Sequence, residues 1–172
     1  MRGQGKSPPR TTVCDMFWSW LGSFLGIAAV GFLNYSILAD TDAIMIIGSF
    51  GASAVLIFGA VSGPLSQPRN LIGGHFISAM VGVTMLQMFS GTLWLAAALA
   101  VSVSIALMHL TRTLHPPGGA TALIAVIGSS KIHALGYMYA LVPVMAGAFV
   151  MLLVALLVNN IPEQRQYPKF WL

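Results

Sequence analysis

LHPPGGATALIAVIG, residues Leu114 to Gly128, opens on two prolines and two glycines and then stays apolar for about a dozen positions. Proline suits the first turn of a helix, where its missing N–H would have had no intrahelical partner. A helix that begins here and stops by Ser130 rises about 1.5 Å per residue, roughly 20 Å in all, against a bilayer core of about 30 Å. The stretch predicts a half-helix within a membrane. The rest of the chain must then supply a spanning frame around it.

Of 172 residues, 57% are hydrophobic and 7% are charged, where a soluble domain carries about a quarter charged residues. Six apolar stretches follow one another, at about 16–38, 43–62, 71–89, 92–111, 117–130 and 134–158. All but the fifth approach the roughly 20 residues that a crossing helix needs. Continuous apolar runs exclude the alternating strands of a membrane β-barrel. The expected fold is all-α: a polytopic helical membrane protein of six apolar helical segments with four to six crossings. One domain covers 15–160. A basic tail rich in Pro and Gly, 1–14, precedes it and is expected to be disordered. The first apolar run is too long for a signal-peptide core and has no clear cleavage site, so it reads as a retained helix. No long Ser- and Arg-rich transit segment precedes that run. A tail over 161–172 follows the domain, and its Tyr167, Phe170 and Trp171 suit a membrane interface.

Charge gives an orientation. With six crossings and both termini cytoplasmic, Arg2, Lys6, Arg10, Arg69, Arg112, Arg165 and Lys169 lie inside, and Lys131 alone lies outside with Asp40 and Asp42. Re-entrant second and fifth segments would move Arg69 and Arg112 outside. The positive-inside rule prefers the first arrangement, and the expected setting is a bacterial plasma (inner) membrane. The net charge of +4 sits in tails and turns, so nucleic acid is not an expected partner. Cys14 is the only cysteine, which excludes an intrachain disulfide and a cysteine metal cluster.

The second and fifth stretches resemble one another. GASAVLI starts at Gly51 and GATALIA at Gly119, so that Ser53 faces Thr121. Each motif follows one long apolar helix and precedes another. Two three-segment repeats, about 15–89 and 90–160, follow from this, and an odd number of crossings makes them inverted. Interrupted helices in corresponding places of two inverted halves mark the binding site of many secondary transporters.

The chemistry of these starts favours anions. Backbone N–H groups of Gly119, Ala120 and Thr121, and of Gly51, Ala52 and Ser53 in the other half, would point out of helix starts together with the positive dipole end. Gly118 and Gly119 let a ligand or another backbone come close, and the Ser53 and Thr121 hydroxyls add donors. The alternative for the glycines is close helix packing. Asn70, His75 and His115 lie beside these motifs and are candidate substrate ligands; Arg69 and Arg112 either tune the field or snorkel at the interface. His109 is expected to pack on its helix and His133 to lie in a loop. No acidic residue falls mid-membrane: Asp15, Asp40, Asp42 and Glu163 are at ends or in loops. An anionic or neutral substrate fits that absence, and any coupled proton would ride on His75 or His115. No nucleophile elbow or metal motif is present, so no enzyme, cofactor or metal site is expected. Gly22/Gly26 and Gly59/Gly63 form GxxxG spacings suited to helix packing or a homo-oligomer contact.

His115-Pro116-Pro117, GSFGASAVLIFG (Gly48 to Gly59) and PLSQPRNLIGGH (Pro64 to His75) resemble, in this order, the signature stretches of the HPP family of integral membrane proteins. The resemblance covers nearly the whole chain. It implies a membrane transporter, with nitrite the substrate associated with plastid and cyanobacterial relatives, and usually four transmembrane helices. The expected function is therefore transport of a small inorganic anion, most simply nitrite. An anion channel, or a non-transporting assembly or sensor protein whose motifs only pack helices, is the alternative.

Overall fold

A computed structural model describes residues 10–37 and 48–172. Arg2, Lys6, Asp40 and Asp42 lie outside the described residues, as does most of the N-terminal tail. The described elements are helical: α1 (Val13–Ile37), α2 (Ser49–Ala54), α3 (Pro68–Met88), α4 (Leu93–Leu110), α5 (Pro116–Ile127), α6 (Ser130–Leu135) and α7 (Ala146–Val158). α2 widens into a π-helical turn over Val55–Gly59, and a similar wide turn, Ala140–Met145, leads into α7.

Four of these helices are long and apolar enough to cross a bilayer: α1, α3, α4, and α7 with its lead-in. Ser49–Gly59 and Pro116–Ile127 are not. Twelve residues of α5 reach about 18 Å. Segments two and five are thus half-helices. Four to six crossings remain the count, and Arg69 and Arg112 stand at the same end as Arg165, the side on which the six-crossing arrangement put them.

Side-chain bonds fix how the segments run. Arg69 Nη2 donates to Thr111 O at 2.7 Å and Asn70 Nδ2 to Leu114 O at 2.8 Å, which sets the start of α3 beside the end of α4. α5 then lies along α3 in the same direction: a Cβ on Gly74 would meet the His115 side chain, and one on Gly82 would stand 2.6 Å from Ala122 O. Past α5, Tyr137 pairs with Thr84 near the far end of α3 at 3.1 Å. α7 returns, and Asn159 Nδ2 donates to Ile57 O at 2.9 Å. Ser19 Oγ donates to Phe58 O at 2.7 Å, and Arg165 pairs with Asp15 at 3.0 Å. The start of α1, the end of the α2 turn, the start of α3 and the end of α7 therefore share one end of the bundle, the Arg165 end. Lys131 follows α5 at the opposite end. From a common middle level α2 heads toward the Arg165 end and α5 toward the Lys131 end. The two half-helices are inverted relative to one another.

Glycines settle several contacts. A Cβ on Gly118 would stand 2.7 Å from Ser78 Oγ and 2.9 Å from Gly74 O, so this glycine admits α3. Gly22 and Gly26 of α1 receive the Phe58 ring, at 2.5 and 2.9 Å from a would-be Cβ. That GxxxG spacing serves packing within the chain. Outward, Phe17, Trp20, Phe24 and Phe32 of α1 and Leu153 and Leu157 of α7 are exposed, an apolar belt suited to lipid.

Part of the C-terminal tail departs from expectation, while Phe170 and Trp171 stay exposed. Tyr167 is buried rather than interfacial, its hydroxyl donating to Ser66 O at 2.9 Å. Lys169 N donates to Gln67 Oε1 at 2.8 Å. Arg165 donates to Asp15 Oδ1, Asp15 O, Ser19 Oγ, Phe58 O and Asn159 Oδ1. Sequence position alone made this residue a topogenic charge in a tail. Five acceptors around one guanidinium make it a clamp between α1, the α2 turn and α7.

Candidate functional site

Where the two half-helices meet, hydroxyl and imidazole groups gather in an apolar surround. Ser49 and Ser53 stand four apart, on one face of α2. Opposite them Thr121 lies in the second turn of α5. His75 reaches in from α3, and His115 from the position before α5. Ser49, Ser53, His75, His115 and Thr121 all have 0% exposure. Burial this complete demands that each polar atom find a partner.

The partners form a chain. His115 Nδ1 lies 2.9 Å from Leu65 O. Its Nε2 lies 2.9 Å from Ser53 Oγ, which is 2.8 Å from His75 Nε2. On the other side of that ring, His75 Nδ1 is 2.7 Å from Thr121 Oγ1. Thr121 Oγ1 donates to Ser49 Oγ at 2.8 Å, with Pro117 O at 3.3 Å as a longer alternative. The imidazole centroids are 5.1 Å apart at 63°, and Phe50 covers His75 edge-on at 5.4 Å. Phe50 itself lodges against Gly147 of α7. Tyr139, 0% exposed, donates its hydroxyl to Thr121 O at 3.0 Å and so ties the lead-in of α7 to the same point.

The candidate residues divide accordingly. Ser53, His75, His115 and Thr121 come together. Asn70 acts one step away, holding the Leu114 carbonyl just before His115. Gly51 faces a cleft of about 550 Å³ between α1 and α2 that Trp20 and Phe24 also line. Ala52 is exposed. Gly119 and Ala120 line another cleft, of about 560 Å³, between α4 and α5. His109, expected to pack, is exposed at that second cleft. His133 sits in α6 rather than a loop, with Nε2 3.0 Å from Val126 O.

The free backbone donors expected at the start of α5 are not there. α5 begins at Pro116, so the unpaired first turn contains two prolines without N–H, and Gly118 N donates to His115 O at 2.8 Å. Gly119, Ala120 and Thr121 lie beyond the groups that a helix start leaves free. Likewise Ala52 and Ser53 follow the start of α2 at Ser49 by three and four residues. What the site presents is side-chain hydroxyl and imidazole.

The arginines stand at the Arg165 end. Arg69 donates one bond, from Nη2 to Thr111 O. Arg112 is exposed and has φ 57, with Thr113 N donating to Met108 O at 2.8 Å and Arg112 N to His109 O at 3.1 Å. These bonds are a Schellman closure of α4, with arginine in the left-handed place where glycine is usual. Ser49, the Leu65 carbonyl and Tyr139 were missed from sequence. Ser49 carried a signal, its spacing of four from Ser53; the other two carried none. Among the described residues no group of three His, Cys, Asp or Glu is arranged to hold a metal.

The family described as HPP, transmembrane region, matches residues 8–168. A transmembrane protein of Dictyostelium discoideum is 48% identical over 173 residues, covering 99% of this chain and 55% of the relative. A second from the same organism is 47% identical over 172 residues, covering 98% of this chain and 60% of the relative. The chain thus spans somewhat over half the length of these relatives. Neither relative supports the bacterial setting expected from sequence. No solved structure matches. With four helices fit to span a membrane and a family match along almost its whole length, the chain belongs to the HPP family of integral membrane proteins.

Proposed function

We propose that this protein carries a small monovalent inorganic anion, nitrite in the first instance, across the membrane. The observation that carries the reading is the meeting of two oppositely directed half-helices at a buried cluster of hydroxyl and imidazole groups. Secondary transporters built from inverted repeats place their substrate at such a meeting point. Ser53, Thr121, His75 and His115 supply N–H and O–H donors, and no described carboxylate lies there to repel an anion. Arg69 and Arg112 lend positive potential to the entrance at the Arg165 end. Movement of one repeat against the other opens the cluster to each side in turn. Arg10, Arg69, Arg112, Arg165 and Lys169 belong to the end that holds both described chain ends, so the positive-inside rule turns that end to the cytoplasm.

The test is nitrite uptake into proteoliposomes, compared with Thr121→Val protein and with empty vesicles. Saturable uptake that Thr121→Val weakens is the expected result. Folded protein that passes none of nitrite, nitrate, chloride or bicarbonate overturns the reading. Uptake that never saturates and follows the membrane potential would make the protein a channel.

A second reading rests on the complete burial of the cluster and on Gly74, Gly82 and Gly118, which pack α5 tightly on α3. In that reading the motifs hold helices together in a membrane assembly or sensor, and no anion changes the thermal stability.

A further inference from the structure

The five contacts from Leu65 to Ser49 can be counted in protons. A carbonyl only accepts, so the Leu65 oxygen requires a hydrogen on His115 Nδ1. Thr121 donates to Ser49, so the 2.7 Å contact with His75 Nδ1 requires the hydrogen on that nitrogen. If both imidazoles are neutral, both Nε2 atoms are then bare acceptors. Between them stands Ser53 Oγ, 2.8 Å from one and 2.9 Å from the other, with a single hydrogen. It can serve one nitrogen, and the other contact is left without a proton. One added proton completes the chain.

We infer that His75 and His115, bridged by Ser53, form a binding site for one proton shared between the two rings, loaded together with the anion. The inference rests on the transport reading for its second half alone. The added proton forms an N–H bond on one Nε2, and that ring becomes imidazolium. It crosses to the other ring when this Nε2–H passes to Ser53 Oγ while the Ser53 hydrogen passes to the opposite Nε2. No atom is gained or lost in the exchange. A second proton is disfavoured, because two imidazolium rings with centroids 5.1 Å apart would repel strongly in a dry interior. When the proton leaves, His75 keeps its hydrogen on Nε2, Ser53 donates to His115, and the Thr121 hydroxyl turns from Ser49 to His75 Nδ1. Every contact but the donation from Thr121 to Ser49 is then made, so deprotonation alters a side-chain bond that links α2 to α5.

Among the described residues the surroundings offer no competing carboxylate. α2 brings Ser49, Ser53 and Phe50 to the pair, and α5 brings Thr121. Tyr139, at the lead-in of α7, is the other titratable neighbour and is bound to the Thr121 carbonyl. Asp15 and Arg165 are paired with each other at the bundle end, and Arg69 is held by Thr111 O. One proton carried with one monovalent anion makes turnover electroneutral.

Two measurements test this. The first is ¹⁵N NMR of histidine-labelled full-length protein in lipid nanodiscs, with His109→Gln and His133→Gln removing the other two rings. The expected titration takes up one proton for the pair, seen at both rings. On the alkaline side it leaves His115 protonated at Nδ1 and His75 at Nε2. Ser53→Ala should uncouple the rings, and Ser53→Thr, which keeps the hydroxyl, should restore the shared step. Two independent protonations, or the opposite tautomers, overturn the proton site whether or not vesicles take up anion. The second measurement is nitrite uptake with trapped pH dye under an imposed membrane potential, with empty vesicles correcting for leak of the free acid. One proton per nitrite at a rate insensitive to potential is expected. Uptake without proton movement overturns the coupling. If NMR shows the shared proton and no anion is taken up, the proton site stands and the transport reading falls.

Discussion

The histidine cluster and the Arg165 clamp are both buried polar networks, and both join parts of the chain far apart in sequence. They differ in the grammar of their hydrogen bonds. A guanidinium has five donors and no acceptor. Arg165 is therefore surrounded by oxygen acceptors, and its bonds have one possible direction. An imidazole can donate at one nitrogen and accept at the other, and a hydroxyl does both. The Ser53–His75–His115–Thr121 chain can run in two directions with almost no movement of heavy atoms. A network of fixed direction holds a fold together. A network that can reverse is able to register a proton and, through it, a substrate.

The strongest way to break this comparison is Ser53→Ala. Loss of the bridge leaves two imidazole nitrogens without a partner, about 1–3 kcal/mol of unmet hydrogen bonding, so initial nitrite uptake should fall by roughly five- to 150-fold. Uptake equal to wild type would put the two networks in the same structural class. Arg165→Gln is the complementary change. It should lower unfolding stability by about 1.5–3 kcal/mol, with uptake per folded molecule unchanged. Asp15, its side chain 37% exposed, can turn to water, which keeps the loss below that of a sealed ion pair. A transport defect without a stability loss would reverse the assignment.

Two smaller changes sharpen the picture around α5. Gly118→Ala drives a methyl into Ser78 and the Gly74 carbonyl, an overpacking worth about 1–3 kcal/mol. Gly119→Ala, with only Val101 at 3.8 Å, should stay within about 0.5 kcal/mol. Equal effects in a thermal melt would mean that α5 does not pack on α3 through Gly118. Arg112→Gly should stabilise slightly, by about 1 kcal/mol, because a side chain is costly in the left-handed region. If stability rises while nitrite uptake falls, Arg112 serves the anion's approach; if uptake holds, its place is the closure of α4.

Much of this was legible in the residues themselves. Apolar length set the short fifth segment apart, since crossing a bilayer is a matter of residue count, and the second was singled out by its likeness to the fifth. Matching GASAVLI with GATALIA paired Ser53 with Thr121, and the aligned Gly51 and Gly119 both turn outward. Backbone donors at the start of α5 were misread, because proline and the His115 carbonyl remove them one by one, a local detail that depends on where the helix begins. Arg165 and Tyr167 were misread because a charge and an aromatic ring look the same whether they face lipid or Asp15 and Ser66, whereas Phe170 and Trp171 stay exposed.

Sequence by itself determined an all-helical membrane protein with two half-helices in corresponding places and histidines beside them, since hydropathy, proline and glycine act locally. Only the tertiary structure decided that Ser53 stands between two imidazoles, that the Leu65 carbonyl and the Thr121 hydroxyl stand at their Nδ1 atoms, and that Arg165 closes the bundle. Those facts depend on distances between residues up to 150 positions apart, which the arrangement of packed helices fixes and no local pattern encodes.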